Sequence, residues 1–243
     1  MTVRDIMDYM ETLAPQALAQ EWDNVGLLMG DPEAEVTCVV TALDITPDTI
    51  AFAKAEGAEL IVSHHPLIFA PLKRVVAPSM PYQLAQSGIA AFAAHTNLDA
   101  AKGGVNDALC AALGLLHVRE AFDGLGRVGE LPAELRPEVF AAFVKKRLHT
   151  AVQWREGSTM VRTVGIVSGG GGDFAADCEA DAFVTGEMKH HEWIALPDTL
   201  TAVVAGHYAT ENVVVEPLAS MLQAAFPTVR VCPFLGNTPY ASL

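Results

Sequence analysis

Six of the eight histidines in the chain fall in four short segments, SHHP (63–66), HTNLD (95–99), EMKHHE (187–192) and GHYATE (206–211). Only His117 and His149 lie elsewhere. Imidazoles grouped with carboxylates serve either as ligands of a metal ion or as the acid and base of a proton transfer. His64 and His65 are consecutive, so their side chains point in different directions and suit two neighbouring cations better than one. Asp99 has two carboxylate oxygens and is the natural bridge between such a pair. His207 and Glu211 are four residues apart at the start of a predicted helix, about one turn apart on one face, and present a nitrogen and an oxygen ligand together. The expected ligand set is therefore His64, His65, Asp99, His207 and Glu211, meeting around two divalent ions. This nitrogen and oxygen set suits zinc, manganese, iron, cobalt or nickel and excludes a soft thiolate site. A pair of such ions, roughly 3.5 to 4 Å apart, activates water and stabilises the attacking and leaving oxygens of a hydrolytic displacement. His95 is expected to hold Asp99 or a ligand histidine from behind.

Each residue also has a plainer reading. A lone histidine after a strand is usually a satisfied polar residue, a His and a Glu four apart form an ordinary solvated helix pair, and Asp99 before AAKGG reads equally as a turn or cap residue. The combination of segments favours the metal reading. Glu187, His190 and His191 are candidates for an acid and base pair or for substrate contacts, against the alternative of a charged helix start. The glycine run Gly169, Gly170, Gly171 and Gly172, between a β-branched strand and a short helix, either cradles an anion through its backbone N–H groups or makes a tight turn that needs positive φ. It lacks the Gly-Lys-Ser/Thr of a Walker loop. Trp22, Asp23 and Asn24 either border a pocket or fix the loop after the first helix.

These residues must be positioned by the elements around them. Thr2 caps a predicted amphipathic helix with apolar residues at Val3, Ile6, Met7, Met10 and Leu13. Residues 21–32 read as a loop around a short apolar segment. Strands are predicted over 36–46, 59–66 and 88–95, with helices over 46–57, 80–88 and 103–115 between and after them. The signal weakens over 117–130. A second series follows: a helix over 135–149, strands near 151–156, 161–168, 181–186 and 201–206, a long helix from Thr210 to Ala225 interrupted at Pro217, and a strand over 229–234. Alternation of this kind implies α/β architecture, a mainly parallel sheet covered by helices, with a lobe boundary near residue 125. One lobe is expected over 1–125 plus 200–243, carrying the metal ligands, and the other over 126–199. Each histidine segment directly follows a predicted strand, and the carboxyl ends of strands are the edge at which α/β sheets bind ligands.

The bulk composition agrees with a globular protein and narrows its partners. With 15 basic and 29 acidic residues in 243, the formal charge is −14, which repels polyanions and argues against nucleic acid as a partner. Cys38, Cys110, Cys178 and Cys232 form no C-x-x-C pair and read as reduced, buried thiols. Charges recur through residues 1–14 and no apolar run reaches membrane length, so a cytoplasmic location and no membrane contact are expected.

The segments EWDNVGLLMG, SHHPLIF (63–69), HTNLDAAKGGVND (95–107), TGEMKHHEW (185–193) and GHYATE resemble, in order and spacing, the GTP cyclohydrolase 1 type 2 homologs, also known as interacting-factor-three-like proteins. The similarity spans essentially the whole chain. It implies two interlinked α/β lobes with mixed, mainly parallel sheets flanked by helices, a dinuclear metal cleft between the lobes, a toroidal homohexamer, and metal ligands at His64, His65, Asp99, His207 and Glu211. Only about 85 residues separate Asp99 from Thr185, which resembles the short form of the family. The function expected is that of a metal-dependent hydrolase, cyclohydrolase-like or directed at phosphoesters, acting on a small phosphorylated or nucleotide-like substrate. The alternatives are a non-catalytic protein of metal storage, delivery or insertion, and a regulatory or assembly partner.

Overall fold

The computed structural model describes residues 1–238. It forms two compact units, one of Met1–Lys102 with Val215–Asn237 and one of Gly103–Val214. Residues 239–243, expected from the sequence in the first lobe, lie outside the described residues. The chain leaves the first unit after Lys102 and returns at Val215, so strand 201–206 and the GHYATE helix belong with the second unit. The helix over 103–115 does as well, because its Leu109, Cys110 and Leu113 are buried in the second unit's apolar core.

The first unit opens with α1 (Val3–Leu13), started by a reciprocal cap in which Thr2 Oγ1 accepts from Asp5 N and Asp5 accepts from Thr2 N at 2.8 Å. There follow β1 (Gly26–Met29), β2 (Cys38–Ala42), α2 (Pro47–Ala55), β3 (Leu60–Ser63), α3 (Met80–Ser87), β4 (Ala90–Ala93) and the short α4 (Thr96–Ala100). The second unit runs through α5 (Val105–Leu113), β5 (Leu116–Ala121), β6 (Gly126–Leu135), α6 (Pro137–Leu148), β7 (Gln153–Arg155), β8 (Val161–Val167), β9 (Ala182–Thr185), α7 (His190–Ala195), β10 (Thr201–Val204) and α8 (His207–Glu211). The return to the first unit adds α9 (Val215–Ala225) and β11 (Arg230–Phe234).

Both sheets are mixed. The first has the order β1-β4-β3-β2-β11, with β11, β2, β3 and β4 parallel and β1 antiparallel at the edge. Every residue of β2, β3 and β4 is buried, as expected of parallel strands covered on both faces. The second sheet has the order β5-β6-β8-β9-β10-β7, a parallel centre of β8, β9 and β10 with antiparallel strands on both sides.

Three local expectations change. Residues 26–29 are a strand paired with β4 rather than a loop. The weak region contains β5 and most of β6; β5 is exposed at five of its six residues, so no burial periodicity marks it in the sequence. The last long helix breaks at a 3-10 turn, Asn212–Val214, and not at Pro217. Pro217 is the third residue of α9, where a missing N–H costs no helical bond.

In each unit a carboxylate ties together the starts of two parallel strands. Glu59 accepts from Thr37 N, Thr37 Oγ1 and Cys38 N ahead of β3, and Asp181 accepts from Arg162 N, Thr163 N and Thr163 Oγ1 ahead of β9. Burial pushes the Asp181 carboxyl up, but the three hydrogen bonds outweigh it and hold the group below the usual carboxylate range. A depressed native value means that this stabilisation is present above the unfolded value, near 3.9, and is lost as pH falls through the native one. Asp181→Ala is expected to cost about 1 to 3 kcal/mol at neutral pH. In urea titrations across pH, the gap to wild type should close below about pH 4; a gap that persists unchanged into acid would contradict this account.

Candidate metal centre

In the first unit, the candidate residues stand at the carboxyl ends of three adjacent parallel strands. Asp44 follows β2, His64 and His65 follow β3, and His95 follows β4. The parallel ladder continues into the double histidine, since His64 N donates to Ala42 O at 3.0 Å and His65 N to Leu43 O at 2.9 Å. The backbone of both ligand candidates is thereby part of the sheet.

The rings form one cluster, with centroids of His64 and His65 5.0 Å apart, His64 and His95 5.2 Å apart, and His65 and His95 5.6 Å apart. Each ring has its Nδ1 against an oxygen acceptor: Ala94 O at 2.9 Å for His64, Asp44 Oδ1 at 2.7 Å for His65 and Asp23 Oδ1 at 2.9 Å for His95. A carbonyl or carboxylate can only accept, so the Nδ1 atoms donate and the neutral rings carry their lone pairs on Nε2. Buffering one nitrogen in this way to set the other is the usual support of a metal-bound histidine. The His64, His65 and His95 ligand atoms all lie within 4.8 Å of one another. His64 Nε2 is also 3.7 Å from Asp99 Oδ1. This donor set fits a borderline divalent cation.

The HTNLD segment reads as a positioning device, one residue at a time. Thr96 donates to Asp23 Oδ2 through its backbone at 3.0 Å and through its hydroxyl, and its hydroxyl accepts from Gln20 N at 3.0 Å. Asn97 Nδ2 donates to Ala14 O at 2.7 Å, at the end of α1, and Leu98 is fully buried. Asp99, on α4, is left toward His64. Burial pushes the Asp23 carboxyl up, yet the hydrogen bonds from Thr96 and His95 prevail and lower it. Burial also lowers His95, with the His64 charge acting in the same direction and the Asp23 bond opposing. The net shift favours the neutral imidazole.

The second unit repeats the arrangement at the ends of β8, β9 and β10. Gly169 follows β8, Glu187 follows β9, and His207 begins α8 after β10. His207 Nδ1 lies 3.2 Å from Glu187 Oε1, while its Nε2 lies 2.9 Å from Glu211 Oε2, one helical turn on. Glu211 is buried and His207 half-buried. Thr210 holds the turn, its hydroxyl donating to Gly206 O at 3.0 Å and accepting from Gly169 N at 3.1 Å.

The structure gives the glycine run a specific reason at Gly169. Its φ is +56°, and a Cβ there would meet Glu211 Oε1 at 1.9 Å and His207 Nε2 at 3.2 Å. A Cβ at Gly170 would meet open space. His190 and His191 are exposed at the start of α7; His191 Nε2 is 4.0 Å from Glu192 Oε1, and neither histidine joins a group of potential metal ligands among the described residues. Sequence reasoning missed Asp44. An acidic residue closing a buried strand next to SHHP was the available signal, and the same residue suits the end of a strand and the turn that follows it.

The geometry defines an α/β protein with two mixed sheets and a candidate metal-binding cluster of histidines and carboxylates. Residues 1–237 match the family described as Duf34/NIF3 (NGG1p interacting factor 3), and the chain belongs to that family. It is 34% identical to the GTP cyclohydrolase 1 type 2 homolog of Lactococcus lactis over 95% of each chain. It is 31% identical to NIF3-like protein 1 of Drosophila melanogaster over 85% of this chain and 76% of the relative. Among solved structures, the Staphylococcus aureus hypothetical protein SA1388 superposes with a TM-score of 0.93 at 29% identity, covering 100% of this chain and 99% of that one. Reduced HcgD from Methanocaldococcus jannaschii superposes with a TM-score of 0.81 at 30% identity, over 96% and 97% of the two chains. The family that the motifs resemble is thus the family to which the chain belongs.

Gly169→Ala is expected to lower the unfolding free energy by more than the roughly 1 to 2 kcal/mol of left-handed strain alone, because the Glu211 carboxylate must also move. Gly170→Ala is expected to cost less than half as much. Equal urea midpoints for the two variants would contradict the packing role of Gly169.

Proposed function

We propose that the chain binds two divalent cations through His64, His65, Asp99, His207 and Glu211, and uses them to hydrolyse a small phosphorylated or nucleotide-like substrate. The observation that carries the metal reading is the set of rings whose Nδ1 atoms are committed to oxygen acceptors, in particular His64 on Ala94 O and His65 on Asp44. A ring so tethered offers an unprotonated Nε2 without having to lose a proton or reorient, which removes part of the cost of binding a cation. Bound divalent ions supply Lewis-acid polarisation of substrate oxygens and activation of water.

The remaining residues orient this chemistry. Asp44 holds the His65 ring and Asp23 the His95 ring, and Glu187 stands 3.2 Å from His207 Nδ1. The description shared by many relatives, GTP cyclohydrolase 1 type 2 homolog, supports hydrolytic chemistry on a nucleotide. The donor set itself supports metal binding independently of that description.

The test is elemental analysis of protein purified without chelators, followed by a substrate screen. Two metal atoms per chain are expected for wild type, with a loss in His64→Ala and in Glu211→Ala. Asp44→Asn should retain the ions but weaken binding by about 10- to 100-fold in competition with a chelator. Turnover that disappears in His64→Ala and Asp99→Ala supports the hydrolase; full loading without turnover supports a metal store or carrier; and metal-free wild-type protein that takes up no divalent ion on reconstitution contradicts the proposal.

A further inference from the structure

Beside the imidazole cluster of the first unit lies an aromatic surface that the metal reading does not use. Trp22 is 59% exposed and Phe69 53% exposed, and their rings sit 5.7 Å apart at 45°. Both rings also reach His95 edge-on, Trp22 at 6.1 Å and Phe69 at 6.5 Å between centroids. Two large aromatic faces left in water next to a polar cluster are costly unless something covers them.

The backbone on either side of these rings is tied down. Asp23, adjacent to Trp22, accepts from His95 and Thr96. Asn24 Nδ2 donates to Ile68 O, which joins the Trp22 segment directly to the residue before Phe69. Phe69 itself lies five residues beyond His64, on the chain that leaves β3. The backbone that carries both rings is therefore anchored beside the imidazole cluster.

We propose that Trp22 and Phe69 form a stacking platform for the planar heteroaromatic ring of the substrate, presenting that ring to the His64, His65 and His95 cluster. The inference rests on the metal-site reading above and specifies its substrate as one carrying a flat nitrogen heterocycle of the purine kind. Aromatic faces bind any such ring through its π surface, without demanding a particular hydrogen-bond pattern. The contact of both rings with His95 selects a small ligand over a macromolecular partner, because an occupant of the platform meets the imidazoles at the same time.

The test uses full-length protein with Trp154→Phe and Trp193→Phe, so that Trp22 is the only tryptophan. Guanosine 5′-monophosphate is titrated against ribose 5-phosphate, with metal content and oligomeric state measured on every sample. Quenching of Trp22 by the nucleotide and not by the sugar phosphate is expected. In the otherwise native chain, Trp22→Ala with Phe69→Ala should weaken nucleotide binding by calorimetry roughly tenfold or more at unchanged metal content. Nucleotide affinity unaltered in the double variant, or metal-loaded protein in which Trp22 does not respond, overturns the platform while leaving the metal site intact. A double variant that changes only its oligomeric state also overturns it, by assigning the rings to a subunit contact. Quenching that survives complete metal removal supports the platform and separates it from the metal reading.

Discussion

A hydrogen bond from Nδ1 of a histidine to a fixed oxygen does two things at once: it chooses the tautomer, and it aims Nε2. On this chain that bond recurs at the carboxyl ends of β3 and β4. Ala94 O, Asp44 and Asp23 serve His64, His65 and His95 in the first unit; in the second, His207 lies between two carboxylates, Nδ1 3.2 Å from Glu187 and Nε2 2.9 Å from Glu211. A hydrogen bond to a charged group contributes about 1.5 to 3 kcal/mol, enough to keep a ring from sampling orientations in which its lone pair is misdirected.

The acceptors are available because of sheet topology. In a parallel sheet all strands deliver their carboxyl ends to one edge, and β2, β3 and β4 are adjacent, so Asp44 reaches His65 and Ala94 O reaches His64 although each pair is separated by 21 or 30 residues. The second unit depends on close backbone approach as well. A Cβ at Gly186 would meet Gly169 O at 2.6 Å and the Cα of His207 at 2.8 Å, so the two glycines leave the space in which the turn carrying His207 and Glu211 sits. Asn106, fully buried on α5, accepts from Ser168 N at 2.9 Å and donates to Leu125 O at 2.6 Å, which holds the start of that glycine loop from beneath. The GGVND and SGGGG stretches are thus two sides of one support.

Much of this arrangement is legible in the residues themselves. The Thr2 and Thr46 caps, the buried runs of β2, β3 and β4, and the placement of every histidine segment after a strand all follow from local rules that the structure obeys. What escaped the sequence was set by tertiary contact. β5 has almost no buried residue to create a period, and β1 is four residues long between glycines of positive φ. Asp44 and Asp23 look like turn acids, since nothing nearby in the chain reveals that an imidazole 21 or 72 residues away will need an acceptor. Gly169 is ambiguous for the same reason: the carboxylate that excludes a side chain there comes from Glu211.

The most direct measurement is the tautomer of each imidazole in metal-free protein, read from long-range nitrogen–proton correlations on a sample labelled with 15N-histidine. The account predicts that neutral His64, His65 and His95 carry the proton on Nδ1. Protons found on Nε2 of His64 and His65 would contradict it, because the oxygens that are said to aim these rings would then be accepting nothing from them.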